Sequence, residues 1–284
     1  MRAACKEVQC MANSHITSRR LSRDDRQREM GDELMKVSLV IPAYNEADGV
    51  AQTAEAVRNV MAYLRKTHEV EVVFVNDGSK DQTETLLCAE FQDDPQVKIV
   101  AHDRNRGLGA AIRTGFQHAK GDVIITTDFD GTYAFSTIPQ LLSRLMVDRV
   151  DIVTASPYHP QGGVEGVPRY RLLFSFGASL LYRLLVSWRI HTWTALFRAY
   201  RRRVIETVMF DSDDFLAGTE LLVKAIRSGY TVSEFPTVLR VRTFGQSSIK
   251  IARVTLSHLR FQGRLLKATL TGDAELKRTS LAKG

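Results

Sequence analysis

The chain has 284 residues, 44% hydrophobic and 25% charged, which suffices for one large domain with a sizeable core and is unlike a disordered or fibrous composition. A net charge of +7 favours anionic partners such as nucleotides or phospholipid surfaces. The longest apolar run, Leu172 to Trp188, is interrupted by Arg183, Gly177 and serines, short of the ~20 apolar residues of a membrane span, and no apolar stretch of a secretory signal opens the chain.

Residues 1–35 lack apolar periodicity and read as a disordered extension. Val37 to Pro42 is a continuous apolar run closed by proline, the pattern of a buried parallel strand. Val50, Ala54, Val57, Val60, Met61 and Leu64 then recur at helical spacing. A second strand, Val70 to Val75, ends in Asn76-Asp77-Gly78-Ser79, and Asp81 can cap the helix through Leu86-Leu87, which carries Cys88 on its apolar face. Val97 to Ala101 is a third strand, with Asn105-Arg106-Gly107 opening a helix to His118. Val123 to Thr127 is a fourth, Ile138 to Met146 a helix and Asp151 to Thr154 a fifth strand. This alternation predicts an α/β fold with a mainly parallel central sheet flanked by helices. Beyond residue 155 the rhythm changes. A Gly-rich loop at 161–166 precedes a long helix near 168–188, then come a segment from Thr194 to Tyr200, a helix near 216–228, strands near 231–235 and 237–242, and a helix from about 250. Residues 36–268 read as one domain, with 269–284 a flexible tail.

Four strand ends carry polar residues: Pro42-Ala43-Tyr44-Asn45-Glu46, Asn76-Asp77-Gly78-Ser79, Asn105-Arg106-Gly107 and Asp128-Phe129-Asp130. Each alone could be a turn or a helix entry. In a parallel sheet all four fall on one edge, where open α/β sheets bind ligands. Neither the dinucleotide fingerprint nor the Walker A pattern follows the first strand, so a nucleotide would be held otherwise. Tyr44 could stack on a base, and Glu46 and Asp77 could accept hydrogen bonds from base or ribose. Asp128 and Asp130 could hold a hard divalent cation whose shell is completed by water and phosphate oxygens.

These motifs in order, with Phe197-Arg198-Ala199-Tyr200-Arg201-Arg202, resemble the family 2 glycosyltransferases of the GT-A fold, and most closely the dolichol-phosphate mannosyltransferase-like branch, over residues 37 to 265. The resemblance implies inverting transfer of a sugar from a nucleotide-diphospho-sugar. By residue, it implies nucleotide contacts at Pro42, Tyr44, Glu46, Val75 and Asp77. Asp128, Phe129 and Asp130 match the DxD motif, with Asp128 and Asp130 as the catalytic, metal-binding pair for Mg²⁺ or Mn²⁺ and Asp130 the main ligand. Arg242 matches an arginine on the sugar-donor phosphates, and Arg171 and Ser175 match acceptor-phosphate positions. The chain departs from the branch at Thr132, where a glutamine is usual, and at Ala155-Ser156-Pro157-Tyr158, where an arginine is missing. Ser248 stands at a lysine position, with Lys250 close by.

A hydroxyl acceptor needs a general base. Among Asp211, Asp213, Asp214 and Glu220, only Glu220 reads as a residue that could line the site, while a phosphate acceptor needs none. Residues 168–203 hold eight arginines and no Asp or Glu, which suits an anionic acceptor, and their apolar residues suit a membrane surface. His191 and Trp193 lie near the expected sugar segment, the histidine more in keeping with a structural role. The expectation is a metal-dependent hexosyltransferase, mannose from GDP-mannose being the leading sugar, acting on a polyprenyl-phosphate-type lipid. Transfer to a saccharide or small-molecule hydroxyl is the rival, and a basic membrane- or nucleic-acid-binding module without catalysis the alternative from another class. Nucleic acid is not the expected partner, because paired carboxylates repel phosphate unless a metal intervenes. Cys5, Cys10 and Cys88 lack metal spacing and read as free thiols, which places the protein in the cytoplasm, peripheral at the inner face of a membrane.

Overall fold

Strand β1 (Lys36–Ala43) shows why the sheet forms, since Val37, Leu39, Val40 and Ile41 are all fully buried. Such a strand needs cover on both faces, and each of these side chains contributes on the order of 1.5–3 kcal/mol by leaving water. The computed structural model describes residues 34–167, 169–241 and 251–271, for residues 169–171 and 251 the backbone only.

The first half is a run of βαβ units. β1 leads through α1 (Val50–Leu64) to β2 (Glu69–Asn76), then α2 (Thr83–Phe91), β3 (Val97–Ala101), α3 (Leu108–His118) and β4 (Val123–Thr126). The predicted face of α1 is the buried one. α2 buries Thr83, Leu87 and Phe91, and this i, i+4, i+8 stripe leaves Cys88 exposed, correcting its placement on the apolar face. α3 lies close on β1 because Gly115 has no side chain: a Cβ there would sit 2.3 Å from Val40 Cγ1.

The second half comprises α4 (Ile138–Val147), β5 (Ile152–Ser156), β6 (Gly163–Glu165), α5 (Arg169–Leu185), β7 (Arg198–Arg201), α6 (Arg202–Thr207), α7 (Ala217–Arg227), β8 (Val232–Pro236), β9 (Val238–Arg240) and α8 (Ile251–Thr271). The seven-stranded sheet has the order β3-β2-β1-β4-β7-β5-β8. β7 is inserted antiparallel between β4 and β5, with Arg198 opposite both Thr126 and Thr154. The other neighbouring pairs are parallel. Part of the Gly-rich loop is a strand, β6, which pairs in parallel with β9 as a separate two-stranded sheet. Residues 269–271, expected in the tail, are helical.

α5 and α8 pack through Tyr182, Phe261 and Leu265, which belong to one core cluster. Their other sides leave Leu173, Phe176, Leu180, Leu184, Leu259, Leu266 and Leu270 exposed.

Candidate active site

The carboxyl ends of β1, β2 and β4 and the turn after β3 open into one cleft of about 1160 Å³. It is lined by Pro42, Tyr44, Glu46 and Asp77, by Asn105 to Gly107, and by Asp128, Phe129 and Asp130. Parallel pairing brings them together, Pro42 standing opposite Val75 and Ala43 opposite Asn76.

The loops after β1 and β2 are laced by side-chain hydrogen bonds. Asn45, in the left-handed region at φ 54°, donates from its backbone N–H to Ser79 Oγ at 2.9 Å, while Lys80 N–H donates to Asn45 Oδ1 at 2.8 Å. Glu46 N–H donates to Thr83 Oγ1 and Ala47 N–H to Asp81 Oδ2. Asp81 also accepts from Thr83 N–H and Oγ1, closing the turn just before α2. Burial alone would raise its carboxyl, but these bonds outweigh it and the net shift is downward. Tyr44 and Glu46 are thereby fixed at the rim, half-buried.

Asp77 does more than the sequence suggested. Oδ1 accepts from His102 Nδ1 at 2.7 Å and from Arg106 N–H at 2.8 Å, and Oδ2 accepts from Gly107 N–H at 2.8 Å. The carboxylate therefore holds the turn that opens α3. Gly107 adopts φ 96°, and a Cβ there would lie 2.3 Å from the Asp213 carbonyl oxygen. Val75 was expected among the nucleotide contacts. Its side chain instead points into the core with Val40, Val73 and Ile124, because side chains alternate along β2 and this one faces the helical layer.

Past β4 the chain turns at Gly131, φ 69°. Thr53 Oγ1 donates to the Phe129 carbonyl at 2.8 Å, and the Phe129 ring packs edge-on against Phe74, anchoring the segment between the two carboxylates. Asp128 and Asp130 are half-buried and line the cleft. Thr132 N–H and Oγ1 both donate to Asp130 Oδ1, at 3.0 and 2.5 Å, so Thr132 orients this carboxylate. Burial, and after it the Asp128 charge, pushes the Tyr133 phenol well up and keeps it protonated. Two hard carboxylates on one anchored turn suit a divalent cation that completes its shell with water and phosphate. Among the described residues no group of three or more His, Cys, Asp or Glu forms a complete protein cage.

The opposite wall comes from α5, the 192–196 segment, the 213–218 segment and α8. Ser175 lines it and shares a 2.7 Å hydrogen bond with Thr194 Oγ1. The Arg171 side chain, Arg242, Ser248 and Lys250 lie outside the described residues. The arginines at the carboxyl end of the acid-free basic stretch, Arg198 and Arg201 to Arg203, are structural. Arg198 is fully buried and donates to Thr154 Oγ1 and to the Gly218 and Trp193 carbonyls. Arg201 donates to the Val150 carbonyl, Arg202 to the Ala119 and Gly121 carbonyls, and Arg203 pairs with Asp151.

Glu220 does not line the cleft, which removes it as a candidate base. It is buried, pairs with Lys224 and accepts from Asp211 N–H and from Ser212 N–H and Oγ. Burial would raise its carboxyl, but these partners hold it low. Asp213 pairs with Arg113, and Asp214 accepts from Leu216 N–H and Ser257 Oγ, tying α7 to α8. His191 Nδ1 bonds Glu234 at 2.6 Å, and Trp193 is buried against Tyr182. Sequence reasoning missed His102 and the cleft residues His258 and Gln262. His102 sits in an otherwise polar turn, and the latter two read as ordinary positions of an amphipathic helix.

Residues 38–209 match the family model described as glycosyl transferase family 2. A dolichol-phosphate mannosyltransferase of Pyrococcus furiosus is 32% identical over 235 residues, covering 82% of this chain and 64% of that protein. The chain thus spans just under two thirds of the length of that relative. A polyprenol monophosphomannose synthase of Mycolicibacterium smegmatis is 33% identical over 245 residues, covering 81% of this chain and 89% of that protein. Among solved structures, a glucosyl-3-phosphoglycerate synthase of Mycobacterium tuberculosis in complex with Mn²⁺, uridine diphosphate and glucosyl-3-phosphoglycerate superposes with a TM-score of 0.60 at 18% identity, covering 80% of each chain. The likeness is one of fold, the mostly parallel GT-A sheet flanked by helices.

Proposed function

Because the chain belongs to glycosyltransferase family 2, we propose that it moves a hexose, mannose from GDP-mannose, onto the phosphate of a polyprenyl-phosphate lipid with inversion at the sugar carbon. One observation carries this reading. A single cleft joins the Asp128/Asp130 turn to a wall built by α5 and α8, the two helices that expose apolar side chains. A nucleotide-sugar fits the first part with its hexose turned toward the second, and a lipid enters along α5 and α8. Both relatives carry names of polyprenol- or dolichol-phosphate mannosyl transfer, in agreement with it.

Tyr44, Glu46 and the turn held by Asp77 seat the nucleotide, with Pro42 and Phe129 shaping the floor. Asp128 and Asp130 would hold Mg²⁺ or Mn²⁺, which when bound neutralises charge gathering on the departing diphosphate. An oxygen of the acceptor phosphate attacks the anomeric carbon from the face opposite the diphosphate. The bond from that carbon to the diphosphate oxygen breaks, and the nucleoside diphosphate leaves. The attacking oxygen is already anionic, so no proton need be removed. Ser175 orients the acceptor phosphate together with Arg171, and Arg242 contacts the sugar-donor phosphates. No described helix is long and apolar enough to cross a membrane. α5 and α8 lie on the membrane surface instead, at its cytoplasmic face.

A screen of GDP-mannose and UDP-glucose against polyprenyl phosphate and free saccharides, with Mg²⁺ or Mn²⁺, tests the reading. Product on the lipid phosphate is expected. Product on saccharide hydroxyls alone would overturn the acceptor, and no product with either nucleotide-sugar would overturn the reading as a whole.

A further inference from the structure

α8 presents two polar side chains to the cleft, His258 and Gln262, one helical turn apart, and neither takes part in the steps above. Each is only about 5% exposed. Both are set by α5. Tyr182 OH lies 3.0 Å from His258 Nδ1, and Gln262 Nε2 donates to the Ala178 carbonyl at 3.1 Å.

These bonds fix which atoms remain for a ligand. Burial, and after it the Glu220 charge, pushes the Tyr182 phenol far up, so it keeps its proton. Burial also pushes the His258 imidazole down to about 4, against the opposing pull of Asp214, so it is neutral at physiological pH. A protonated phenol donates, His258 Nδ1 accepts, and the imidazole's single proton sits on Nε2. Nε2 has no hydrogen-bond partner among the described residues. The Ala178 carbonyl can only accept, which assigns Nε2 of Gln262 to it and leaves Oε1, buried, as the end of the amide without a partner among the described residues. A buried acceptor without a partner costs free energy until something donates to it.

The helix face therefore offers one neutral donor and one neutral acceptor. An anion would meet the lone pairs of Gln262 Oε1, and a cation would meet the His258 N–H. A hydroxyl accepts from one and donates to the other. We propose that His258 and Gln262 read a hydroxyl of the hexose being transferred, with Tyr182 as the positioning residue that fixes the His258 tautomer. This rests on the hexose-transfer reading above and adds to it the residues that discriminate the sugar.

The test sets sugar analogues against variants. Transfer is measured from GDP-mannose and its 2-, 3-, 4- and 6-deoxy derivatives by the wild type, His258→Phe, Gln262→Met, His258→Gln and Tyr182→Phe. In the wild type one deoxy sugar should lose about three- to tenfold in kcat/KM. The same deletion should cost His258→Phe and Gln262→Met nothing further, and His258→Gln, which restores an N–H, should recover part of the discrimination. GDP affinity by calorimetry should be unchanged in all variants. If His258→Phe does not fold, Tyr182→Phe carries the question, since it frees the tautomer without removing a cleft residue, and it should weaken the discrimination. Variants that discriminate as the wild type does, or a wild type indifferent to every deoxy sugar, would overturn the proposal while leaving the transfer reading standing. A wild type that turns over neither GDP-mannose nor UDP-glucose would overturn both.

Discussion

His102 donates from Nδ1 to Asp77 Oδ1 at 2.7 Å, and its Nε2 shares a 2.9 Å hydrogen bond with Thr114 Oγ1. The end of β2, the turn after β3 and the first turns of α3 are thereby joined through one imidazole. The carboxylate so held also fixes the Arg106 and Gly107 N–H groups at the cleft.

Replacing His102 with leucine should therefore loosen the 105–107 turn without touching ligand directly. Leaving Asp77 short of one buried partner should cost about 1–3 kcal/mol, read as a lower urea midpoint at unchanged slope. GDP affinity should fall by about tenfold, the equivalent of ~1.4 kcal/mol. Unchanged GDP binding in a destabilised protein would show that His102 serves the fold alone.

Acid should destabilise the protein partly through His258. Its folded-state pKa is pushed down by burial to about 4, below the 6.5 of an unperturbed histidine. Between these values the unfolded chain binds the proton and the folded one does not, so stability rises with pH across this window and is lost as pH falls through it. The full contribution is on the order of 3 kcal/mol. The lowered carboxyls of Glu220 and Asp151 act in the same sense at lower pH. Denaturation midpoints from pH 4 to 7 should show the wild type losing more stability than His258→Gln, and parallel curves would contradict the assignment.

The outer faces of α5 and α8 should bind anionic lipid vesicles. Leu184 and Leu270 are 62% and 77% exposed and lie away from the cleft lining. Leu184→Glu with Leu270→Glu should lower co-flotation several-fold while changing stability by no more than about 0.5 kcal/mol per site. A wild type that stays in solution, or a double variant that floats undiminished, would remove these helices from the membrane.

Much of this was legible in the sequence because it rests on local signals. Buried parallel strands announce themselves as continuous apolar runs, and their polar ends share one edge by geometry. That placed Pro42, Tyr44, Glu46, Asp77, Asp128, Phe129 and Asp130 in one cleft. β7 was not readable as an antiparallel insertion, because Phe197 and Ala199 face one core cluster and Leu196 and Tyr200 the other, a pattern that carries no strand direction. The arginines of 198–203 misled for a related reason. Their count suggests a phosphate site, yet their guanidiniums reach the Gly218, Val150 and Gly121 carbonyls and Asp151, 20 or more residues away in sequence. Val75 and Asp77 stand two apart on the same strand end, and only packing separates the core residue from the one that lines the cleft.

The central claim is that the Asp128/Asp130 turn serves metal-assisted sugar transfer to a lipid phosphate. Asp130→Asn keeps an oxygen to accept from Thr132 N–H and Oγ1 while removing the charge, so the turn should survive. Mannosyl transfer from GDP-mannose to polyprenyl phosphate, measured for the wild type and Asp130→Asn with Mg²⁺ or Mn²⁺ and again with chelator, tests it directly. The expected result is wild-type product that disappears with chelator, and a loss of at least about 100-fold in Asp130→Asn at unchanged thermal stability. Wild-type transfer that survives chelation, or an Asp130→Asn variant with near-normal turnover, would contradict it.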